Sequence, residues 1–323
     1  MTTTTTTTTA TTATATTSAT TPVPSPAAAP AGPPRRASGR RLSGIALAAP
    51  FTLLLLGTVL VPIGYAFYLS LFTDRLSGLG FDGYREVFTG FDNYTSVLGD
   101  PAFLYSVAHV ALYALVHIPV MLAGALVIAL LLDSVAVRLR QMWSLAVFLP
   151  HAVPGVIAGL IWGYLYSPGI GPLNGILPFD PLGDGGVLPS IVNMATWQWM
   201  GYNMIIFYTA LQTVPREVLE AARADGAGAL RTALSIKVPM IRPTIFVALV
   251  FTTIGSLQLF TEPLVLRTFT GTVTSTWTPS LYIYEAAFIS NDYGRAAAAS
   301  ILLAVASALL SALVMRLSAR RSR

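Results

Sequence analysis

Few side chains in this sequence are of a type that performs catalysis. The chain has no cysteine, so it can form neither a disulfide nor a thiolate metal site. Its three histidines, His109, His117 and His151, are isolated and belong to no His-Glu-x-x-His zinc signature. A phosphate loop needs Gly-x-x-x-x-Gly-Lys-Ser/Thr, and the single lysine, Lys237, is not in that setting. We therefore expect a non-catalytic chain with no cofactor, which does not bind ATP through such a loop.

The remaining chemistry-bearing residues form two groups. The first is a charged segment, residues 215–226, which reads Pro-Arg-Glu-Val-Leu-Glu-Ala-Ala-Arg-Ala-Asp-Gly. The second consists of amide and aromatic side chains within apolar stretches: Gln198, Trp199, Tyr202, Asn203 and Gln258. Amides exchange hydrogen bonds with polar ligands, and aromatic rings offer a flat apolar face with a polar handle. The alternative for the amides is hydrogen bonding from helix to helix.

Charged residues are scarce and unevenly placed along the chain. It is 54% hydrophobic and 10% charged, whereas soluble domains are about 25% charged. Asp, Glu, Lys and Arg are absent from residues 42–73, 101–132, 141–179, 185–215, 243–261 and 296–315. About 20 apolar residues cross the hydrocarbon layer, where a helix satisfies its own backbone. The sequence therefore predicts an all-α membrane protein with six transmembrane helices, near residues 44–72, 103–132, 142–166, 188–213, 240–263 and 296–317.

The basic residues indicate which side each loop faces. Arginine and lysine collect in cytoplasmic loops. Of the 19 basic residues, four lie in the loops predicted to be outside: Arg75, Arg85, Arg267 and Arg295. The others lie at the two ends of the chain and in the loops after the second and fourth predicted helices. Both termini are therefore predicted to be cytoplasmic, and the net charge of +5 is explained by topology rather than by nucleic-acid binding.

The chain divides into segments of different composition. Residues 1–41 are rich in Thr, Ala and Pro and are predicted to be a disordered cytoplasmic arm. Residues 42–73 are too long for a signal-peptide core and predict an uncleaved first helix, kinked at Pro62. An outer loop with short interfacial helices is expected at residues 74–100, followed by a transmembrane domain at 101–317 and a basic tail at 318–323. Asp133 and Glu262 are expected at helix ends, where a charge costs little.

The segment between the fourth and fifth predicted helices, residues 215–243, lies on the predicted cytoplasmic side. Pro215 suits the first position of a helix, and Glu217 and Glu220 suit its early turns. Leu219, Ala222, Gly226 and Leu230 recur on one face. The pattern predicts a short amphipathic helix, a turn and a second short helix that ends at Lys237.

One spacing within this segment carries a resemblance. Glu220, Ala221, Ala222, Gly226, Ile236 and Pro239 follow the order Glu-Ala-Ala, three residues, Gly, nine residues, Ile, one residue, Leu-Pro, with Val238 in place of Leu. This order resembles the signature of permease subunits of bacterial binding-protein-dependent ABC importers. The resemblance implies a methionine-importer-like permease core, in which residues 215–243 are a coupling loop that docks in a groove of a separate ATPase subunit. The residues alone leave an ordinary amphipathic connector as the alternative.

Three other segments, residues 197–204, 255–260 and 279–288, are similar to the carbohydrate branch of that family, whose members import maltose, other oligosaccharides or glycerol phosphate. Residues 268–272 depart from it, because Thr-Phe-Thr-Gly-Thr stands where members often have Thr-x-Gly-Gly-Pro. The resemblance implies a sugar permease in the bacterial inner membrane. Its implied partners are an ATPase dimer, a second permease subunit and an extracytoplasmic binding protein.

Under that function, Gln198, Trp199, Tyr202, Asn203 and Gln258 are candidate residues of the substrate path. Glycerol phosphate or a polyamine stays open as the solute. An ion-coupled secondary carrier is the alternative of another class. Such a carrier usually has acidic residues buried in mid-membrane, and the six charge-free windows contain none.

Overall fold

The computed structural model describes residues 38–76, 84–134, 138–173 and 175–321, and gives only the backbone for 38–46, 75–76, 84 and 317–321. Of the disordered arm predicted for residues 1–41, residues 1–37 lie outside the described residues. Two units are distinguished, Met1–Leu54 and Leu55–Arg323. All of helix α1 (Ser38–Leu55) except its last residue belongs to the first unit, and the helix begins inside the arm that the sequence predicted to be disordered.

The second unit starts with a π-helical turn (Leu56–Leu60) and helix α2 (Val61–Ser70). Pro62 explains the turn, since its ring has no N–H and crowds the carbonyl four residues earlier. Where the sequence predicted a kink, the backbone hydrogen bonds span five residues instead of the four of an α-helix.

A β-hairpin follows where only helices and loops were expected. Strand β1 (Phe72–Leu76) pairs antiparallel with β2 (Tyr84–Phe88), and Phe72 lies opposite Phe88 with their ring centroids 5.4 Å apart. The prediction of an all-α protein is wrong here, because aromatic and β-branched residues in these strands favour extended pairing. Helix α3 (Asp92–Leu98) comes next, in the loop where short helices were predicted.

Two long helices form the centre of the second unit, α4 (Pro101–Asp133) and α7 (Val187–Leu211). Between them lie α5 (Arg140–Phe148), a 3-10 turn (Leu149–Ala152) and α6 (Gly155–Tyr166), and the chain bends by 95° at the junction. A single helix over residues 142–166 is therefore wrong. Pro154 disfavours the helical conformation at Val153, whose ψ is 127°.

The loop of residues 215–243 contains α8 (Arg216–Ala224), α9 (Ala229–Thr232), a π-helical turn (Ala233–Lys237) and α10 (Val238–Met240). It leads into α11 (Arg242–Leu257) and α12 (Thr261–Leu266). The membrane helix predicted over residues 240–263 is confirmed as one segment of membrane length, Arg242–Leu266, but it is interrupted between Leu257 and Thr261. Pro263 explains the interruption, because its ring crowds the carbonyl of Leu259. The chain ends with α13 (Pro279–Tyr284), a π-helical turn (Glu285–Ile289) and α14 (Tyr293–Arg321).

Four of the described helical segments are long and apolar enough to cross a membrane: Leu47–Ser70, Pro101–Asp133, Arg242–Leu266 and Tyr293–Arg316. The bent pair Arg140–Ala152 and Gly155–Tyr166 is a fifth if it counts as one span. Helix α7 has 25 residues, but Asn193, Gln198 and Asn203 make it too polar for that group.

Helix α7 can keep its polar residues because it packs among other helices. Its Met194 and Ile191 pack with Tyr113 of α4 in one buried cluster. Its Met204 and Phe207 pack with Ala125 of α4 in another. Amides that face protein rather than lipid can find hydrogen-bond partners, so a central helix tolerates them.

Candidate functional site

Gly226 ends helix α8 in a left-handed conformation, with φ +75°. The N–H of Ala227 donates to the carbonyl of Ala222 (2.9 Å), and that of Gly226 donates to Arg223 (3.0 Å). These two bonds form a Schellman motif, which requires a residue that accepts positive φ. A Cβ at Gly226 would meet no atom within 4 Å. Within this chain the motif needs glycine for its backbone conformation and not for close packing.

Substitutions at Gly226 test this explanation. We expect Gly226→Ala to destabilise the end of α8 by about 1–2 kcal/mol, because a Cβ is disfavoured in the left-handed region. Gly226→Asn costs less, since asparagine visits that region more readily. Hydrogen exchange of the α8 amides in the purified protein measures the effect, and equal exchange in both variants would contradict a backbone requirement.

The inward face of the loop ends where α8 ends. Ala222 is buried and Leu219 packs against the cluster of Phe207, whereas Leu230 is 73% exposed. The predicted apolar face that joined these residues through Gly226 is therefore wrong beyond α8, because Gly226 interrupts the helical period. Glu220 and Ala221 are exposed on the outward face.

The second half of the motif lies at the entrance to α11. Ile236 and Pro239 are half-buried, in the π-helical turn and in α10. Pro239 follows a π-helical turn as Pro62 does, and for the same reason, since its ring crowds the carbonyl of Ser235. The proline of the motif thus shapes the backbone that connects the loop to α11.

Two of the amides of α7, Gln198 and Asn203, are buried and bonded within the chain. Nε2 of Gln198 donates to the carbonyl of Val153 (3.0 Å), at the bend before α6. Nδ2 of Asn203 donates to the carbonyl of Trp199 (3.3 Å) and lies 3.8 Å from Sδ of Met121. The bond of Gln198 joins α7 to that bend, whereas the bond of Asn203 to Trp199 lies within α7 and only its contact with Met121 reaches another helix.

Trp199 and Tyr202 belong to an exposed aromatic cluster with His151 and Phe148. The His151 ring centroid lies 4.8 Å from that of Trp199, 5.0 Å from that of Tyr202 and 5.5 Å from that of Phe148. Trp199 is 43% exposed and Tyr202 is 45% exposed. The sequence did not indicate His151, because only the bend after α5 brings it to α7. The cluster offers ring faces on which a flat or ring-shaped solute can stack.

The two interrupted spans meet through the glycines of α6. A Cβ at Gly159 would lie 2.9 Å from Cβ of Val265, and one at Gly155 would lie 3.3 Å from Cγ2 of Thr261. Such close approach needs residues without side chains. The bend before α6 and the break before α12 are therefore neighbours, and Gln198 lies beside Gly155.

Gln258 is exposed at the break between α11 and α12, with φ −95° and ψ 20°. Irregular backbone at membrane depth occurs where it is buried in protein or lines a cavity. Glu262, four residues later, is buried at 9% exposure. The predicted helix end is confirmed, since Glu262 lies in the first turn of α12, but the side chain is buried there instead of facing water.

The family model that describes the inner membrane component of binding-protein-dependent transport systems matches residues 98–323. The chain belongs to this family. The matched region contains the charged loop, both helix breaks and the aromatic cluster. The family resemblance on residues 220–239 is thereby confirmed.

Named relatives of this permease are transport subunits too. It is 33% identical over 274 residues to the diacetylchitobiose uptake system permease protein of Streptomyces coelicolor, covering 79% of this chain and 76% of the relative. It is 31% identical over 291 residues to the sulfoquinovosyl glycerol transport system permease protein of Agrobacterium fabrum, covering 86% and 91%.

A solved structure has the same fold as the permease. It is a bacterial ABC transporter involved in the import of the acidic polysaccharide alginate, and the match has a TM-score of 0.73 at 21% identity. The match covers 88% of this chain and 98% of the transporter chain. At this identity the similarity establishes the fold of the permease and not its solute.

Proposed function

We propose that this permease translocates a sugar as one transmembrane subunit of an ATP-binding-cassette importer, which receives the sugar from an extracytoplasmic binding protein. Family membership carries the proposal, because members are inner membrane components of binding-protein-dependent systems. The names of two relatives refer to glycosides, diacetylchitobiose and sulfoquinovosyl glycerol. The permease of similar fold belongs to an importer of alginate.

The loop of residues 215–243 docks on an ATPase subunit and transmits the energy of ATP hydrolysis from that subunit to the permease. Its outward face combines the exposed Glu220 with the apolar side chains of Val218, Leu230 and Leu234, which are 38%, 73% and 57% exposed. An exposed apolar surface beside a charge is typical of a protein interface. A dimer of ATPase subunits and a second permease subunit complete the importer, since this sequence lacks a phosphate loop.

In the proposed topology α7 is the fourth of six spans in chain order, and both termini are cytoplasmic. The positive-inside distribution of arginine supports this orientation. It puts the loop of residues 215–243 on the side where ATP is available.

The substrate path lies along the aromatic cluster and the break at Gln258. Trp199, Tyr202 and Gln258 have exposed surface, whereas Gln198 and Asn203 hold the framework behind them. Uncharged amides and aromatic rings suit a neutral sugar. A phosphate group favours arginine or lysine, and a polyamine favours carboxylates, so this set supports a sugar over both alternatives.

Purification through a tag on this chain tests the assignment. We expect an ATPase and a second permease to copurify from native membranes. We expect intact cells to accumulate labelled diacetylchitobiose or another oligosaccharide, and the uptake to disappear when this chain is deleted. Accumulation of glycerol 3-phosphate or spermidine instead would replace the sugar by that solute. Recovery without an ATPase would overturn the importer assignment.

Gln258→Leu tests the path separately. Replacing an exposed amide by an apolar group of similar size removes hydrogen bonds to the solute and leaves packing intact. We expect uptake to fall about tenfold, since the loss of one or two hydrogen bonds changes binding by about 1–2 kcal/mol. ATPase recovery stays normal. Unchanged uptake across a range of sugar concentrations would remove Gln258 from the path.

A further inference from the structure

Three elements of the permease converge on one carboxylate, that of Asp133 at the end of α4. Its Oδ1 accepts a hydrogen bond from Nε2 of Gln212 (2.7 Å), the residue that follows α7. Its Oδ2 pairs with Nζ of Lys237 (2.5 Å), the last residue of the π-helical turn in the loop. The only lysine of the sequence thus connects the loop to the end of α4.

The ion pair between Asp133 and Lys237 is shielded from water. The side chains of Asp133 and Lys237 are 12% and 16% exposed. The other ion pairs between described residues, Arg267 with Glu285 and Arg295 with Asp100, are more exposed. A shielded charge left without its partner is strongly disfavoured, so both residues must move together or separate fully into water. Such a contact makes the end of α4 move with the loop, because the two side chains do not separate by small steps.

This contact adds a route that the covalent chain does not provide. The loop is joined directly to α7 at its start and to α11 at its end, but α4 precedes it by about 80 residues in sequence. Without Asp133, α4 would follow the loop only through side-chain packing. Asp133 therefore connects α4 to the loop by charge.

The other end of α4 is fixed as well. Asp100 caps it by accepting a hydrogen bond from the N–H of Ala102 (2.9 Å). Asp100 also pairs with Arg295 of α14 and accepts a hydrogen bond from the hydroxyl of Tyr282 of α13 (2.9 Å). Burial, followed by the bond to Asp100, raises the pKa of Tyr282 to about 12, which keeps that hydroxyl protonated. The 33 residues of α4 span about 50 Å between these two attachments.

We propose that Asp133 is a positioning residue that makes α4 a strut, whose Asp133 end follows the movement of the loop relative to α14. Lys237 is the loop side of the contact, and Gln212 joins α7 to the same point. The proposal rests on the proposed coupling function of residues 215–243. A merely stabilising ion pair would affect assembly, whereas a strut determines whether α4 moves when nucleotide binds.

Distance measurements between spin labels test the strut in the intact importer, and this chain has no cysteine that would compete for the label. One pair joins Val127→Cys of α4 to Leu309→Cys of α14, and a second joins Ala229→Cys of α9 to Leu309→Cys. All three positions are exposed, and none belongs to the proposed docking surface. Each distance is measured by pulsed electron spin resonance before and after addition of a non-hydrolysable ATP analogue.

We expect the analogue to change both distances in the otherwise unmodified chain. Lys237→Gln and Asp133→Asn abolish the change at α4 and leave the change at α9. The charge swap, Asp133→Lys with Lys237→Asp, restores at least half of the change at α4. The control Arg242→Gln removes an exposed charge five residues beyond Lys237 and alters neither distance.

Each other outcome overturns a defined claim. If α9 does not respond to the analogue in the unmodified chain, the coupling function itself fails. If α9 responds and α4 does not, or if α4 still responds in Lys237→Gln, the strut fails while the coupling function stands. If the single variants do not assemble, the double variant with the charges exchanged is the deciding measurement. If that variant assembles and its α4–α14 distance does not change with the analogue, the proposal is overturned.

Discussion

Replacing Glu220 by lysine is expected to remove the proposed ATPase subunit from the purified importer and to abolish the proposed sugar uptake. Glu220 is exposed on the outward face of α8, and its proposed partner is a basic residue in the groove of the ATPase. Lysine there would oppose like charges, which costs several kcal/mol, so the affinity falls at least about a hundredfold. The amount of ATPase that copurifies with the tagged permease measures the effect, together with uptake in intact cells.

Glu217→Lys is the matched control, because it makes the same charge change on the same helix, one turn earlier and also at an exposed position. We expect near-normal recovery of the ATPase with this variant. Equal losses from both substitutions would indicate a general effect of charge on the loop. Normal uptake with Glu220→Lys would remove Glu220 from the docking surface.

The sequence predicted those features that depend on residue spacing or on local hydrophobicity. The spacing of Glu220 to Pro239 predicted the family, and the structure adds why two positions recur: Gly226 holds a Schellman motif and Pro239 shapes a π-helical turn. Charge-free windows predicted the long helices α4 and α14. The six-span count stays a proposal, because α7 is too polar to qualify by its own hydropathy.

Local pattern failed where a proline or a distant partner decides the conformation. Hydropathy does not predict the bend at Pro154 or the break before Pro263, since both lie within apolar stretches of the sequence. His151 joins Trp199 only through that bend. Asp133 and Lys237 are 104 residues apart in sequence, and no periodicity relates them. These long-range placements create the aromatic cluster and the charged contact of α4.

Gly201→Ala is expected to disrupt the junction of α5 and α7 and to destabilise the permease more than Gly255→Ala, the matching exchange in α11. A Cβ at Gly201 would lie 2.1 Å from the carbonyl oxygen of Val147 and 2.8 Å from Cα of Phe148. Both are backbone atoms, so no side chain can rotate away and α5 itself must move. Overpacking of this kind costs about 3 kcal/mol. We expect the unfolding temperature of the purified permease to fall by about 5 °C or more.

Gly255→Ala in α11 separates this clash from the helix propensity of alanine. Gly255 is also within a helix, but a Cβ there would meet no atom within 4 Å. Alanine at an open helical position is favoured by about 0.5–1 kcal/mol, so the unfolding temperature holds or rises. A fall in the unfolding temperature of Gly255→Ala equal to that of Gly201→Ala would contradict the close contact of α5 with α7.

The aromatic cluster spans the same contact, with Phe148 and His151 on one side and Trp199 and Tyr202 on the other. Displacement of α5 therefore also separates the rings. Uptake by Gly201→Ala is therefore expected to fall further than the amount of folded permease.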